Sequence, residues 1–211
     1  MRLSEKTIEL NICAQISQNI KRKIIWFGLT QLQEARAGFD AAFNLNGRIV
    51  IFQFKTSNYY LKNNKKRFYL EHAQLQNLRN RVNGYYRSIF YVFPMIGNTR
   101  DLNIHNGDFY NTSWLLDVSY LTNPFPPPLT KTNPPRLRKN NNHYADLNPP
   151  LITIHSDPFE TKLNKLSDLV ESRFSGSDGL NNLFFKSSGN YDKLLETMFP
   201  TRIGLQMAIL L

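Results

Sequence analysis

Asn46-Gly47 stands between two runs of alternating apolar and polar residues, and no other stretch limits the folding of this chain so tightly. The Asn-Gly pair accepts the positive φ angles of a two-residue turn whose twist matches that of the strands it joins. Residues 39–55 (FDAAFNLNGRIVIFQFK) therefore read as a β-hairpin. Side chains alternate across a strand, which predicts Phe39, Ala41 and Phe43 on one face with Val50, Phe52 and Phe54. Asp40, Ala42 and Asn44 share the other face with Ile51, Gln53 and Lys55. The turn also sets the register: Leu45 opposite Arg48, Asn44 opposite Ile49, and so back to Asp40 opposite Gln53. Directly opposed Cβ atoms lie about 4.5–5.5 Å apart, and a diagonal neighbour such as Lys55 about 7–8 Å away. A carboxylate, an amide oxygen and an ammonium are expected at one spot, and a slip of one residue would part Asp40 from Gln53.

Such a trio suits hydrolysis of a phosphodiester. A hard divalent cation prefers oxygen ligands, and Mg²⁺ commonly takes one or two carboxylates, water and a substrate phosphate oxygen. The metal polarises phosphorus and supplies hydroxide, while a lysine holds the attacking water or offsets charge developing on phosphate. Gly38-Phe39-Asp40, followed by Gln53-Phe54-Lys55 on the partner strand, resembles the PD-(D/E)XK nuclease superfamily, the restriction-endonuclease-like fold, in a Gln-x-Lys variant. The resemblance implies Mg²⁺ (or Mn²⁺) held by Asp40, with Gln53 ligating through its carbonyl or orienting a metal-bound water, and Lys55 positioning the nucleophile. It implies a nucleic-acid partner, DNA, in settings such as bacterial restriction or defence. Gln53 replaces an acid and removes a charge from the site, so the alternative is a catalytically degenerate member acting as a nucleic-acid-binding module.

The chain has 211 residues, of which 41% are hydrophobic and fifteen are Phe, enough for a substantial core. Its formal net charge of +10 favours a polyanionic partner through steering and counterion release. Cys13 is the single cysteine, which excludes an internal disulfide or thiolate cluster, and its helical setting makes it a small core residue. No apolar run approaches the roughly 18 residues of a membrane span, and the first residues lack a signal-peptide pattern. A cytoplasmic protein is the expectation, with no membrane partner.

Residues 4–20 read as a helix capped by Ser4, with Glu5 at the positive end of its dipole and Ile8, Ile12, Ile16 and Ile20 as a stripe. By the resemblance, a first-helix glutamate reaches the metal or its water shell, which makes Glu9 a candidate; Glu34, shortly before Asp40, is its rival. Residues 23–30 predict a strand with Ile24, Ile25, Trp26 and Phe27 inside. Residues 56–68 are polar and basic, and read as a partly ordered substrate loop. There Lys62, Lys65, Lys66 and Arg67 would meet phosphates, and Tyr59 and Tyr60 would stack on bases. Residues 71–82 predict a second helix, on which the resemblance points to Gln74 as facing the site. Residues 87–96 predict a buried strand. The order is αβββαβ, which implies an α/β (α+β) restriction-endonuclease-like core whose mixed central sheet is flanked by helices.

Three segments are expected: a nuclease-like core over 1–122, a Pro/Asn-rich basic loop over 123–150, and a strand with C-terminal helices over 151–211. Residues 114–121 read as a strand or a short helix. Proline density argues against a helix or central strand in 123–150, where Arg136, Arg138 and Lys139 could clasp a phosphate backbone. Residues 151–155 predict a strand and 159–174 an amphipathic helix. The apolar final run predicts docking on the core or on a second copy, a homodimer.

Overall fold

The computed structural model describes residues 1–20, 24–29, 34, 39–45, 48–57, 59–61, 65–81, 89–130, 132–137, 141–156 and 159–171. The Asn46-Gly47 turn itself and the expected C-terminal helices and dimer-forming run lie outside them. Helix α1 (Glu5–Asn19) begins where Ser4 Oγ accepts a hydrogen bond from Thr7 N, as the capping pattern required. Its stripe of Ile8, Ile12, Cys13 and Ile16 is buried.

Strands β1 (Ile25–Gly28), β2 (Ala41–Leu45) and β3 (Arg48–Phe54) follow as an antiparallel meander. The β2–β3 register is the one the turn dictates, from Leu45↔Arg48 through Ala41↔Phe52. After β3 come a short hairpin, β4 (Tyr59–Tyr60) and β5 (Lys66–Glu71), then helix α2 (His72–Arg81) and strand β6 (Ile89–Pro94). Strand β6 runs parallel to β3. Helices α3 (Thr99–Ile104) and α4 (Phe109–Thr112) lead to β7 (Ser113–Asp117), which continues into a single 3₁₀ turn, so residues 114–121 are strand and helical turn in succession. Strands β8 (Asn142–Asn148), β9 (Leu151–Ile154), β10 (Phe159–Lys162) and β11 (Asn164–Lys165) precede helix α5 (Leu166–Glu171).

The fold is mixed α/β with two sheets. The first has order β1-β2-β3-β6-β7-β11, mixed because only β3 and β6 are parallel. Ala41, Phe43, Val50, Phe52, Phe54, Phe90 and Val92 turn toward α1, α4 and α5; Phe52 packs edge to face with Phe54 and Phe90 and tilted against Phe43. Ala42, Ile51, Ile89, Tyr91 and Phe93 turn the other way, onto Phe68, Leu70, Ala145, Leu147, Ile152 and Ile154 of the second sheet and Leu75 and Leu78 of α2. Strand β6, covered on both faces, is apolar without alternation and wholly buried.

The second sheet, β10-β9-β8-β5-β4, overturns several expectations. Residues 56–68 are not a connecting loop throughout, because the alternation of Lys66, Phe68 and Leu70 inward with Arg67 and Tyr69 outward builds β5. Residues 123–150 do include a central strand: β8 lies past the proline cluster and pairs with β5 and β9. The sheet thus runs across both expected segment boundaries. Phe159–Lys162 and Asn164–Lys165 are strands rather than helix, the first completing a hairpin with Leu151–Ile154 and the second pairing with β7; helix begins only at Leu166. Phe39 also departs from its expected face and packs with Ala42 and Ile51, because it precedes the regular strand.

Candidate functional site

The regular register ends at Ala41 with Phe52, and one residue earlier the N–H of Asp40 donates to Phe52 O at 3.1 Å. This brings its carboxylate to the end of β3, where Gln53 Nε2 donates to Oδ2 at 2.7 Å and Phe54 N donates to the same oxygen at 2.7 Å. Gln53 Nε2 also reaches Phe54 O at 3.2 Å. The opposition of Asp40 and Gln53 required by the turn is therefore present as a hydrogen bond. Gln53 is 1% exposed, and its Oε1 is buried without a hydrogen-bond partner. Lys55 is half-buried at the strand end, with its N–H bonded to Val92 O at 3.1 Å.

Electrostatics single out Asp40. Burial pushes its carboxyl from 3.8 up to about 7, against the lowering effects of the Phe54 N–H, the Lys55 charge and the Gln53 amide. Glu5 adds to the upward push. Tyr91, paired in register with Gln53 on β6, is fully buried with an unpartnered hydroxyl; burial, then the charge of Asp40, hold its phenol protonated far above the ordinary range. Sequence reading missed Tyr91 because a tyrosine inside an apolar strand looks like core.

The further carboxylates come from α1 and from Glu34. Lys6 Nζ donates to both oxygens of Glu9, at 2.8 and 3.0 Å, and lies 3.9 Å from Glu34. Burial raises the carboxyl of Glu34 despite Lys6, and Glu9 and Glu5 raise it further. Both candidate acids are thus drawn to one lysine. Glu5, read from sequence only as a dipole partner, accepts from Thr56 N at 3.3 Å, one residue past Lys55, and is the carboxylate that acts on Asp40. Its signal in the sequence was position alone: the first turn of α1 abuts the end of β3. Cys13 is buried, and burial drives its thiol well above the usual range, in keeping with a core role.

Among the described residues, no three His, Cys, Asp or Glu side chains gather closely enough to enclose a metal ion. The oxygens that could serve a hard cation are the Asp40 carboxylate and, after a turn of the amide whose Nε2 faces that carboxylate, the orphaned Gln53 Oε1, with water and a phosphate oxygen to complete the shell. A cation there would satisfy the buried amide oxygen and draw the Asp40 proton off.

The expected nucleic-acid residues fare unevenly. Lys66 is not available to a phosphate: it is 4% exposed, its Nζ donates to Met95 O and, at 2.7 Å, to Asp101 Oδ2, and it sits 4.6 Å from the Tyr60 ring centroid. Arg67 is also committed, with a two-pronged ion pair to Asp146 at 2.6 and 2.7 Å and a stack on Tyr144. These two alternate along a strand, so one ammonium is forced inward and one guanidinium onto the sheet surface. Tyr60 is half exposed on β4, Tyr59 pairs with Arg67 across the ladder, and Lys65 stands just before β5. Gln74, on α2, has a buried Oε1 without a hydrogen-bond partner, and Arg136 is exposed. Lys62, Arg138 and Lys139 lie outside the described residues.

Comparison with protein-family models, with curated proteins and with solved structures finds no match for this chain.

Proposed function

We propose that this protein is a divalent-metal-dependent nuclease of the PD-(D/E)XK type, hydrolysing phosphodiester bonds in DNA. The observation that carries the proposal is the juxtaposition of Asp40 with Gln53, with the Lys55 charge acting on the same carboxyl. The order α1, β1, β2, β3, α2, β6 supports it, being αβββαβ with the β4–β5 hairpin inserted before α2. So does the orphaned Gln53 Oε1, since buried polar atoms are normally partnered.

Asp40 and Gln53 Oε1 would hold Mg²⁺ or Mn²⁺, which when bound would polarise the scissile phosphate and supply hydroxide at neutral pH. Asp40 must first give up the proton that burial favours. Lys55 would hold the attacking water by a hydrogen bond and offset the negative charge that grows on the phosphate oxygens.

The test is cleavage of supercoiled and linear DNA with Mg²⁺ or Mn²⁺. Asp40→Ala and Lys55→Ala should each lower the rate by at least about 100-fold while leaving the circular dichroism spectrum unchanged. Cleavage at the wild-type rate by both variants would sink the proposal. A second reading is favoured by the Gln53–Asp40 hydrogen bond, which also serves a purely structural clip in a non-catalytic nucleic-acid-binding module. Calorimetry separates the two, since the clip predicts no heat on titration with Mn²⁺.

A further inference from the structure

Residues 55–57 lead from the candidate site into a cavity of about 390 Å³, lined by Met1, Arg2, Ser57, Tyr60, Gly97, Asn98, Thr99 and Arg100. Three strokes of the fold build it. The N-terminal segment docks beside the end of β6, with Leu3 N bonded to Gly97 O at 3.0 Å and a bridge between Arg2 and Asn98. Arg2 Nη2 donates to Thr56 Oγ1 at 2.8 Å, tying that segment to the residue after Lys55. Gly97 leaves room for Ser57, since a Cβ at that position would stand 2.3 Å from Ser57 Oγ.

The wall has a definite chemistry. Arg2 and Arg100 are both exposed at the cavity and bring two guanidiniums, the group best suited to a phosphate. Tyr60 brings a ring that is 52% exposed yet held in place: its hydroxyl donates to Asp101 Oδ2 at 2.5 Å and takes a hydrogen bond from Asn98 Nδ2. Asp101, a carboxylate behind the wall, is offset by Lys66 and by the N–H of Gly97. A pocket of this volume exceeds what a phosphate needs and lies within the range of small-molecule sites. Lys55 and Ser57 are two residues apart, so the cavity mouth stands at most about 7 Å along the chain from Lys55.

We propose that this cavity is a nucleotide subsite of the proposed nuclease. It takes the nucleotide next to the scissile phosphate in a single DNA strand, with its phosphate between Arg2 and Arg100 and its base stacked on Tyr60. The inference rests on the nuclease reading for the strand's direction, but its test does not depend on cleavage. The probe is a fluorescein-labelled oligothymidine ten-mer, titrated by anisotropy into the full chain without metal, with the matching oligouridine as a second arm to separate the two sugar chemistries. Arg2→Ala with Arg100→Ala should weaken binding about tenfold or more at 0.1 M salt and lower the slope of log affinity against log salt by about 1.4, two phosphate-neutralising charges on a single strand. Tyr60→Leu should weaken binding by about fivefold or more, the lower end of one base–aromatic stack, with the salt slope unchanged. Arg100→Lys should restore part of the slope, which a folding defect would not. Wild-type affinity in both the arginine and tyrosine variants overturns the subsite. Should those variants lose binding while no metal supports cleavage, the subsite stands and the nuclease reading falls; cleavage abolished only by Asp40→Ala, with these variants binding normally, gives the reverse. Tighter binding of oligouridine than of oligothymidine overturns the assignment to DNA.

Discussion

Asp40 is the residue on which the proposed chemistry and the stability of this protein meet. Its folded-state carboxyl titrates at about 7 against an ordinary 3.8, so the folded chain holds a proton there that the unfolded chain has lost. Stability contributed by this group is complete below pH 4, falls as pH rises toward 7, and is level beyond. Asp40→Asn should therefore stabilise the metal-free protein at pH 8, by about 1–3 kcal/mol, while cleavage is lost; urea denaturation measures the first and DNA cleavage the second. The same proton competes with a cation. Affinity for Mn²⁺ should climb by roughly tenfold per pH unit between about 5 and 7 and level off above, a profile that calorimetry at three pH values resolves. Between the acids on α1, Glu5→Gln should move the Mn²⁺ affinity profile to lower pH and Glu9→Gln should not, because Glu9 is held by Lys6 while the charge of Glu5 pushes the Asp40 carboxyl up. Equal profiles in the two variants would argue against a role for Glu5.

At the scale of elements, the hairpin and the second sheet have different origins. The β2–β3 pair is local: Asn46-Gly47 sets its register, and its apolar face fills the space under α1 with Phe43, Phe52 and Phe54. Phe52→Ala should cost about 3–5 kcal/mol by thermal or urea unfolding, since Phe52 is fully buried among three other rings. Strand β5 is pinned from elsewhere. Its Lys66 is buried against Asp101 of α3, thirty-five residues away, and Lys66→Met should destabilise by about 3–5 kcal/mol by stranding the carboxylate. The double variant Lys66→Met with Asp101→Leu should recover much of that loss. Helix α1, the meander, α2 and β6 were legible in the sequence because each carries its own period and its own start or stop signal. Strands β5, β8 and β10 were not, since polar and proline-rich surroundings masked short alternations that only cross-pairing makes into strands.

For the whole molecule, a net charge of +10 does not say which cations would be open to the proposed polyanionic partner. Lys66 and Arg67 contribute to that sum and yet have carboxylate partners inside the fold. Arg2 and Arg100, which carried no motif, stand together at a cavity that opens beside the candidate site. The two layers also explain why Asp40 titrates so high. The second sheet and α2 cover the face on which Gln53 and Tyr91 lie, and that cover removes water from the carboxylate.

A two-residue turn and period-two alternation were enough by themselves to bring Asp40 against Gln53, because both act over a dozen residues and need no distant partner. The capped first helix and the buried parallel strand were equally self-declared. Which acid attends Asp40, which basic side chains stay at the surface, and what closes the far face of the sheet were decided only when strands far apart in the chain paired. Burial and ion pairing depend on neighbours in space, and a linear sequence does not name them.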